Sequence, residues 1–392
     1  MSGPGQNLLV LQGGGPTPVL NASLFGVIDE AARSGRFKRI LGARFGIEGL
    51  IKSDLVELSS LPTIELQKLR TSPGASLGST RYKASDADLE SILQNLRASD
   101  VRALIVIGGN GSLRGAQAIS DAADICVIGV PKTIDNDIPA TDRCPGYASA
   151  ARYVAQSVRD LGMDVRGLPQ PVSIYETMGR SVGWLAAASV LGKLDEDHAP
   201  HLVYLPERAF DVQRFLGDID RTVRKHGWAV AVVTEGIKSA SGQPVFEMTT
   251  ESQRDALNRA LPGGVGAYLA ELVTSNLKIR CRSEKPGLCG RASMLHVSRQ
   301  DLHDAEWVGR AGVRAALEDR KGSMIALRPL SSDRPTEAIP LSSAAGGERA
   351  MPEEFLDGSA HAVSQKFLDY IRPLVGDLMD YAVPLTTQRQ SS

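Results

Sequence analysis

Apolar residues fall along this chain in short unbroken runs rather than in alternation. Leu8 to Leu11, Arg102 to Ile107 (RALIVI) and Ile125 to Val130 (ICVIGV) each end near glycine or proline, and amphipathic segments follow the first two. Runs of this kind predict strands buried on both faces. Repetition of strand, glycine turn and helix is the pattern of an α/β fold. Leu8–Leu11 leads through Gly13-Gly14-Gly15 to a predicted helix over Ala22–Ala32 and a strand over Lys38–Ala43. Arg102–Ile107 leads through Gly108 to Ser112, a helical stretch to Ala123 and the strand Ile125–Val130. The spacing of Ala151, Val154, Ala155 and Val158 predicts a helix over Ser149–Leu161 that carries the chain into a second lobe. Further strands are predicted at Val172–Tyr175, His201–Leu205 and Ala229–Thr234. From Pro329 onward Ser, Asp, Pro and Gly become frequent, which predicts surface and tail, with a loop at Ser342–Gly347 and a short helix at Ser364–Ile371.

Composition narrows the classes. A chain of 392 residues suits two lobes of ordinary size, and 42% hydrophobic with 23% charged residues is enough apolar material to offset the entropy of folding. Lys plus Arg number 44 against 45 Asp plus Glu, so charge gives no case for a nucleic-acid or anionic-membrane partner, and any anion site must be local. Cys126, Cys144, Cys281 and Cys289 form no C-x-x-C pair, which points to reduced thiols and a cytoplasmic setting. The six histidines form no zinc-ligand pattern. The N-terminus has no basic leader, and its apolar run is too short for a signal core or a membrane span, so neither export nor insertion is expected.

Several segments carry candidate chemistry. The turns Gly13-Gly14-Gly15-Pro16 and Gly108 to Ser112 each join a buried strand to a helix, where backbone N–H groups and the helix dipole favour a phosphate; a tight connection is the other reading. Neither is a P-loop or a G-x-G-x-x-G fingerprint, and no G-x-S-x-G elbow occurs. Pro131-Lys132-Thr133-Ile134-Asp135-Asn136-Asp137 packs two carboxylates, a cation and a hydroxyl directly after a strand. Phosphoryl transfer to an alcohol needs a proton acceptor, a metal to bridge phosphate oxygens, and cations to neutralise the moving group. An Asx-rich turn capping a helix would use the same string. Arg81, Arg180 and Arg291 stand beside glycines, as phosphate-binding forks or as solvated surface charges. Glu235 sits at the carboxyl end of a predicted strand, where open parallel sheets bind ligands, although a solvated turn carboxylate reads the same way.

Taken in chain order, Gly13 to Asn21 (GGGPTPVLN), Leu77 to Lys83 (LGSTRYK), Gly108 to Ser112 (GGNGS), Pro131 to Asp137, Thr141-Asp142, Met178-Gly179-Arg180 and Thr234-Glu235-Gly236 resemble the phosphofructokinase family. The resemblance is to its bacterial branch that includes pyrophosphate-dependent members, and it runs over roughly residues 5 to 315. It implies two three-layer α/β/α lobes with mainly parallel sheets and an active site in the cleft between them. Residues 1–146 would carry the donor loops, 147–328 would bind the sugar phosphate, and 329–392 would pack back on the first lobe. Asp135 would take the proton from the 1-hydroxyl of fructose 6-phosphate, with Thr133 and Ile134 beside the sugar and Lys132 in support. Gly14, Gly109, Gly111 and Ser112 would bind the donor, Gly14 through its N–H. Arg81 and Arg180 would balance the transferred charge. Met178, Gly179 and Glu235 would contact the sugar. Arg291 and Arg282 would hold its 6-phosphate, Arg282 from a neighbouring subunit of a homodimer or homotetramer. Mg²⁺ would lie at Asn110 and Asp137.

The chain departs from the family pattern at Asn110 (an aspartate in relatives), at Gly111 (an aspartate in pyrophosphate users), at Pro171 (an arginine) and at Leu288 (an aromatic or histidine). Gly111 lacks the carboxylate that repels a nucleotide α-phosphate, so ATP is the favoured donor. Lys132, typical of pyrophosphate users, keeps pyrophosphate as the alternative. Pro171 and Leu288 leave another phosphorylated ketose, such as sedoheptulose 7-phosphate, as a second acceptor. An enzyme of the NAD-kinase and lipid-kinase group and a sugar-phosphate-binding regulatory protein are the remaining readings.

Overall fold

Branched aliphatic side chains fill the strands because both faces of each central strand are covered. The computed structural model describes residues 6–169, 171–246, 264–357 and 363–382. The strands run in chain order as β1 (Asn7–Gln12), β2 (Ile40–Ala43), β3 (Leu55–Glu57), β4 (Val101–Gly108), β5 (Cys126–Pro131), β6 (Val172–Thr177), β7 (Leu202–Tyr204), β8 (Ala229–Thr234), β9 (Cys281–Glu284), β10 (Ser323–Leu327) and β11 (Thr336–Pro340). The chain divides into two units, Met1–Ser149 with Arg291–Arg349, and Ala150–Gly290 with Ala350–Ser392.

The first unit is built on a seven-stranded sheet in the order β11-β10-β5-β4-β1-β2-β3, parallel except where β11 and β3 pair antiparallel at its edges. Successive residues of β1 and β4 point to opposite faces. Leu8, Val10, Ala103 and Ile105 join one apolar cluster with Leu24, Val27 and Val308, while Leu9, Leu11, Leu104 and Val106 join another with Ile92, Leu113 and Leu341. Each aliphatic side chain so buried contributes about 1.5–3 kcal/mol. On the first face the helices Leu20–Ser34 and Arg299–Leu317 approach backbone to backbone. A Cβ on Gly26 would lie 2.3 Å from the Glu306 carbonyl oxygen, and one on Gly309 2.2 Å from that of Ser23, so the contact requires glycine at both.

The second unit holds a parallel four-stranded sheet, β7-β8-β6-β9, over a core that includes Ile174, Phe215, Ile219, Ala231, Val233 and Leu269. Its C-terminal part is fastened by the helix Gln365–Val375, which buries Phe367, Ile371 and Leu374, and by an aromatic group of Trp184, Phe355, Phe367 and Tyr370. Arg152 donates to the Val375 carbonyl at 2.8 Å, and the Tyr381 hydroxyl donates to Asp160 at 2.6 Å.

These units differ from the sequence-based boundaries at 146 and 328. β10 and β11 complete the first sheet and the helix Arg299–Leu317 belongs to the same unit, whereas residues 350–357 and 363–382 fall in the second unit. Residues 358–362 and 383–392 of the expected C-terminal segment lie outside the described residues. Edge position explains why β11 was hidden in a stretch expected to be surface and tail: only Ile339 of its five residues is buried, so no apolar run marks it. The expected loop at Ser342–Gly347 begins as the short helix Leu341–Ala345, anchored by buried Leu341 and Ala344. All four cysteines are free thiols, and among the described residues no helix is long and apolar enough to cross a membrane.

Candidate active site

Three turns of the first unit leave the carboxyl ends of neighbouring parallel strands. Gln12 lies opposite Ile107, and Gly108 opposite Pro131, so Gly13–Gly15 after β1, Gly109–Ser112 after β4 and Lys132–Asp137 after β5 emerge side by side. Backbone bonds tie them, Gly13 N–H to Ile107 O at 2.9 Å and Lys132 N–H to Gly108 O at 3.0 Å. Ser112 packs so closely that a Cβ on Gly13 would meet its Oγ at 2.3 Å, and one on Gly108 its Cβ at 2.3 Å. Gly109 caps the helix Asn110–Ala122 without a side-chain acceptor or an acidic residue in the first turn, which leaves positive potential there. Gly111 is exposed, and nothing lies within 4 Å of the position its Cβ would take.

Lys132 is the buried cation of this cluster, 3% exposed, with Nζ donating to the Gly15 carbonyl at 2.9 Å. Burial pushes its pKa down to about 8; Asp135 and Asp137 act in the opposite sense, while Arg291 and Arg81 lower it further. Gly14, Gly15, Ser79, Arg81 and Arg291 bound a cavity of about 340 Å³. The Arg291 side chain reaches Gly15, with Nη1 3.1 Å from where a Cβ would be, and its buried Nε has no hydrogen-bond partner among the described residues. Burial holds the Arg291 pKa below the usual range, and Arg81 adds to the effect. Two guanidiniums on the cavity wall, with the Lys132 ammonium behind the Gly14-Gly15 backbone that lines it, suit a small polyanion.

Two details differ from expectation. The Gly14 N–H donates to the Thr80 carbonyl at 3.1 Å, because the left-handed backbone at Gly14 (φ 80°) turns it toward that strap, so it is already engaged. Arg291, expected with a sugar phosphate, lines the glycine cavity instead.

The turn after Lys132 is held from within. Thr133 Oγ1 accepts from the Asp135 N–H at 3.0 Å, and Asn136, in the left-handed region at φ 56°, accepts from the Cys144 N–H at 3.0 Å. Ile134 is buried beneath it. The Asp-Asn-Asp string caps no helix; the next one, Tyr147–Arg166, has the Gly146 and Ser149 N–H groups satisfied by buried Asp301 at 2.8 and 3.0 Å. Asn110 Nδ2 donates to Asp137 at 2.8 Å, which leaves Asn110 Oδ1 buried and unpartnered among the described residues. Burial raises the Asp137 pKa, and Glu348 adds to the rise. An orphaned amide oxygen beside a carboxylate fits a hard divalent cation, although the described residues hold no cluster of three His, Cys, Asp or Glu suited to a metal.

In the second unit β6 and β8 end together, with Thr177 opposite Thr234 and the Glu235 N–H on the Thr177 carbonyl at 3.0 Å. Met178-Gly179-Arg180 and Glu235-Gly236 therefore meet. A Cβ on Gly236 would lie 1.9 Å from the Arg180 carbonyl oxygen, and Gly179 sits at φ 132°. Burial pushes the Glu235 pKa up to about 7; Lys285, the Gly179 N–H and Arg180 oppose the rise and Glu176 adds to it. Glu176 and Lys285 were not found from sequence. Glu176 is 2% exposed, accepts from the Gly264 and Gly266 N–H groups at the start of the helix Val265–Leu277, and pairs with Lys285 at 2.9 Å. Its only signal was a carboxylate at a strand end, the same as that of Glu235. Arg282 is exposed on the edge strand β9, Leu288 is 64% exposed, and Pro171 directly precedes β6.

The profile of the phosphofructokinase family matches residues 7–298. The chain is 38% identical over 386 residues to the pyrophosphate–fructose 6-phosphate 1-phosphotransferase of Xanthomonas campestris pv. campestris, covering 94% of this chain and 91% of the relative. It is 36% identical to the protein of the same name from Rhodospirillum rubrum, covering 97% of each. Its structure is similar to that of the pyrophosphate-dependent phosphofructokinase from Marinobacter aquaeolei, with a TM-score of 0.84, 30% identity, and 98% and 95% of the two chains covered. The glycine turns, the 131–137 turn and the ends of β6 and β8 all fall inside the matched span, and relatives agree over nearly the whole length, so this chain belongs to the phosphofructokinase family.

Proposed function

We propose that this protein transfers a phosphoryl group from inorganic pyrophosphate to the 1-hydroxyl of fructose 6-phosphate. The observation that carries the reading is the pair Arg81 and Arg291 on the wall of the glycine cavity, with Lys132 bound to the Gly15 carbonyl beside it, in a chain whose relatives over nearly its whole length bear the name of that reaction. Gly111 by itself favours ATP, but the relatives favour pyrophosphate, and the cavity's cations supply what a donor without an adenosine would use.

In this reading the hydroxyl oxygen attacks the terminal phosphorus of pyrophosphate, the bridging P–O bond breaks, and orthophosphate leaves. Asp135 accepts the hydroxyl proton, worth about 10²–10⁴-fold, while positioning and charge neutralisation provide the larger part. Arg81, Arg291 and Lys132 hold the donor oxygens in the first unit. In the second, Met178, Gly179 and Glu235 contact the sugar, and Arg180 offsets charge on the moving group. Asn110 Oδ1 and Asp137 would hold Mg²⁺, which neutralises phosphate oxygens when bound. Arg282, exposed on β9, is available to a second copy of the chain in a homo-oligomer.

ATP remains a second reading on one observation, the open space at Gly111. An aldolase-coupled assay with fructose 6-phosphate and Mg²⁺ compares the donors directly. Turnover with pyrophosphate carries the proposal, turnover with ATP alone replaces it with the second reading, and silence with both refutes the acceptor. Replacement of Asp135 by Ser should lower kcat by at least about 10²-fold with sugar binding retained; unchanged turnover removes Asp135 from its role.

A further inference from the structure

Outside the span matched by the family profile, one side chain grips the turn that carries Asp135 and Asp137. Arg349 donates through Nε to the Asn136 carbonyl at 3.2 Å and through Nη1 to the carbonyls of Thr141 at 2.5 Å and Asp142 at 2.6 Å. Its own N–H donates to the Asp137 carbonyl at 2.7 Å. Four hydrogen bonds from a single residue thus span both limbs of the 136–142 loop. The far limb is fixed independently to β10, where the Asp142 N–H donates to the Leu327 carbonyl at 2.9 Å and Thr141 Oγ1 accepts from the Leu327 N–H at 2.9 Å. Within the loop Asn136 and Ala140 lie in the left-handed region, which asparagine tolerates but which is unfavourable for alanine unless the surroundings impose it.

We propose that Arg349 is a positioning residue for phosphoryl transfer: its guanidinium ties the near limb to the fixed far limb and so sets where the Asp135 and Asp137 carboxylates stand. It acts on the backbone carbonyls of the turn rather than on a reacting group. A planar fork can serve carbonyls on both limbs at once, which a lysine ammonium cannot match. The inference rests on the function proposed above for its kinetic part, and on geometry alone for its structural part.

The test uses the full-length protein as Arg349→Ala and Arg349→Lys, with two readouts. In the coupled assay Arg349→Ala should lower kcat by about 10²-fold, the loss typical of misplaced catalytic groups, with KM for fructose 6-phosphate changed less than about threefold, and Arg349→Lys should recover part of the loss. In hydrogen exchange by mass spectrometry, peptides covering 135–145 should exchange faster in Arg349→Ala while peptides from β1 and β4 do not change. A kcat within about threefold of wild type, or a rise in KM that accounts for the whole loss, overturns the kinetic part. Unchanged exchange over 135–145 overturns the structural part. Should the wild type turn over neither donor, the proposed function fails by that result, and exchange still decides whether Arg349 holds the turn. If Arg349→Ala does not fold, Arg349→Lys carries both readouts.

Discussion

Replacing Lys132 by Met separates a cation kept for chemistry from one kept for stability. Wild-type Lys132 is buried, and its pKa of about 8 against an unperturbed 10.5 means that keeping it charged at pH 7 costs about 3 kcal/mol. Met removes that cost and fills a similar volume, but it leaves the Gly15 carbonyl without its 2.9 Å donor, a loss of about 1–3 kcal/mol. The two effects nearly cancel, so urea denaturation at pH 7 should give the variant a stability close to that of wild type. Turnover should not survive in the same way. Losing a charge-assisted contact of about 1.5–3 kcal/mol to the donor predicts a fall in kcat/KM for pyrophosphate of about 10- to 150-fold. Between pH 8 and 10.5 the folded ammonium has released its proton while the unfolded one still holds it. Wild-type stability should therefore rise with pH relative to the variant across that window, as donor affinity falls. A variant that loses more than about 3 kcal/mol of stability at pH 7, or keeps kcat/KM within about threefold of wild type, refutes the reasoning.

Glu235→Gln should stabilise the protein at pH 8 by up to about 3 kcal/mol and leave it unchanged near pH 4, because between pH 4.5 and about 7 the folded carboxyl keeps a proton that the unfolded one has lost. Denaturation curves at the two pH values check this, and KM for fructose 6-phosphate should rise with it. Gly111→Asp has room for its side chain and adds an anion to the first turn of the helix Asn110–Ala122, so folding should gain about 0.3–1 kcal/mol. Any turnover with ATP should disappear in that variant while pyrophosphate turnover persists, and the donor-comparison assay reads both.

What could be read from sequence follows burial. The central strands β1, β4, β5, β6 and β8 are covered on both faces, so their apolar runs stood out, and the turns that follow them carry the glycines and acids that marked the site. The helix Thr63–Arg70 buries no residue, and β3 and β11 are edges with one buried residue between them, so no period reveals them. In the candidate site, the residues named from sequence are those that stand in chain-adjacent motifs. Glu176, Lys285 and Arg349 act through backbone groups or charges brought in from elsewhere, and no spacing encodes those partners. Arg291 was expected at a sugar phosphate, and only the fold shows that its side chain runs against Gly15.

The return of the chain to the first sheet has a consequence for synthesis. β10 takes its place beside β5 with Ser323 opposite Ile128 and Met324 opposite Gly129, and the helix that packs against Leu20–Ser34 is made only shortly before it. At about 5–20 residues per second, β5 waits on the order of 10–40 s on the ribosome for its neighbour. Throughout that time it is a sheet edge with unpaired backbone groups, and an apolar face lined by Leu24, Val27 and Ile28 lacks its cover. A nascent chain halted between Pro131 and Arg299 presents both, so the first unit, although begun first, cannot complete its sheet until residues 150–290 have been made.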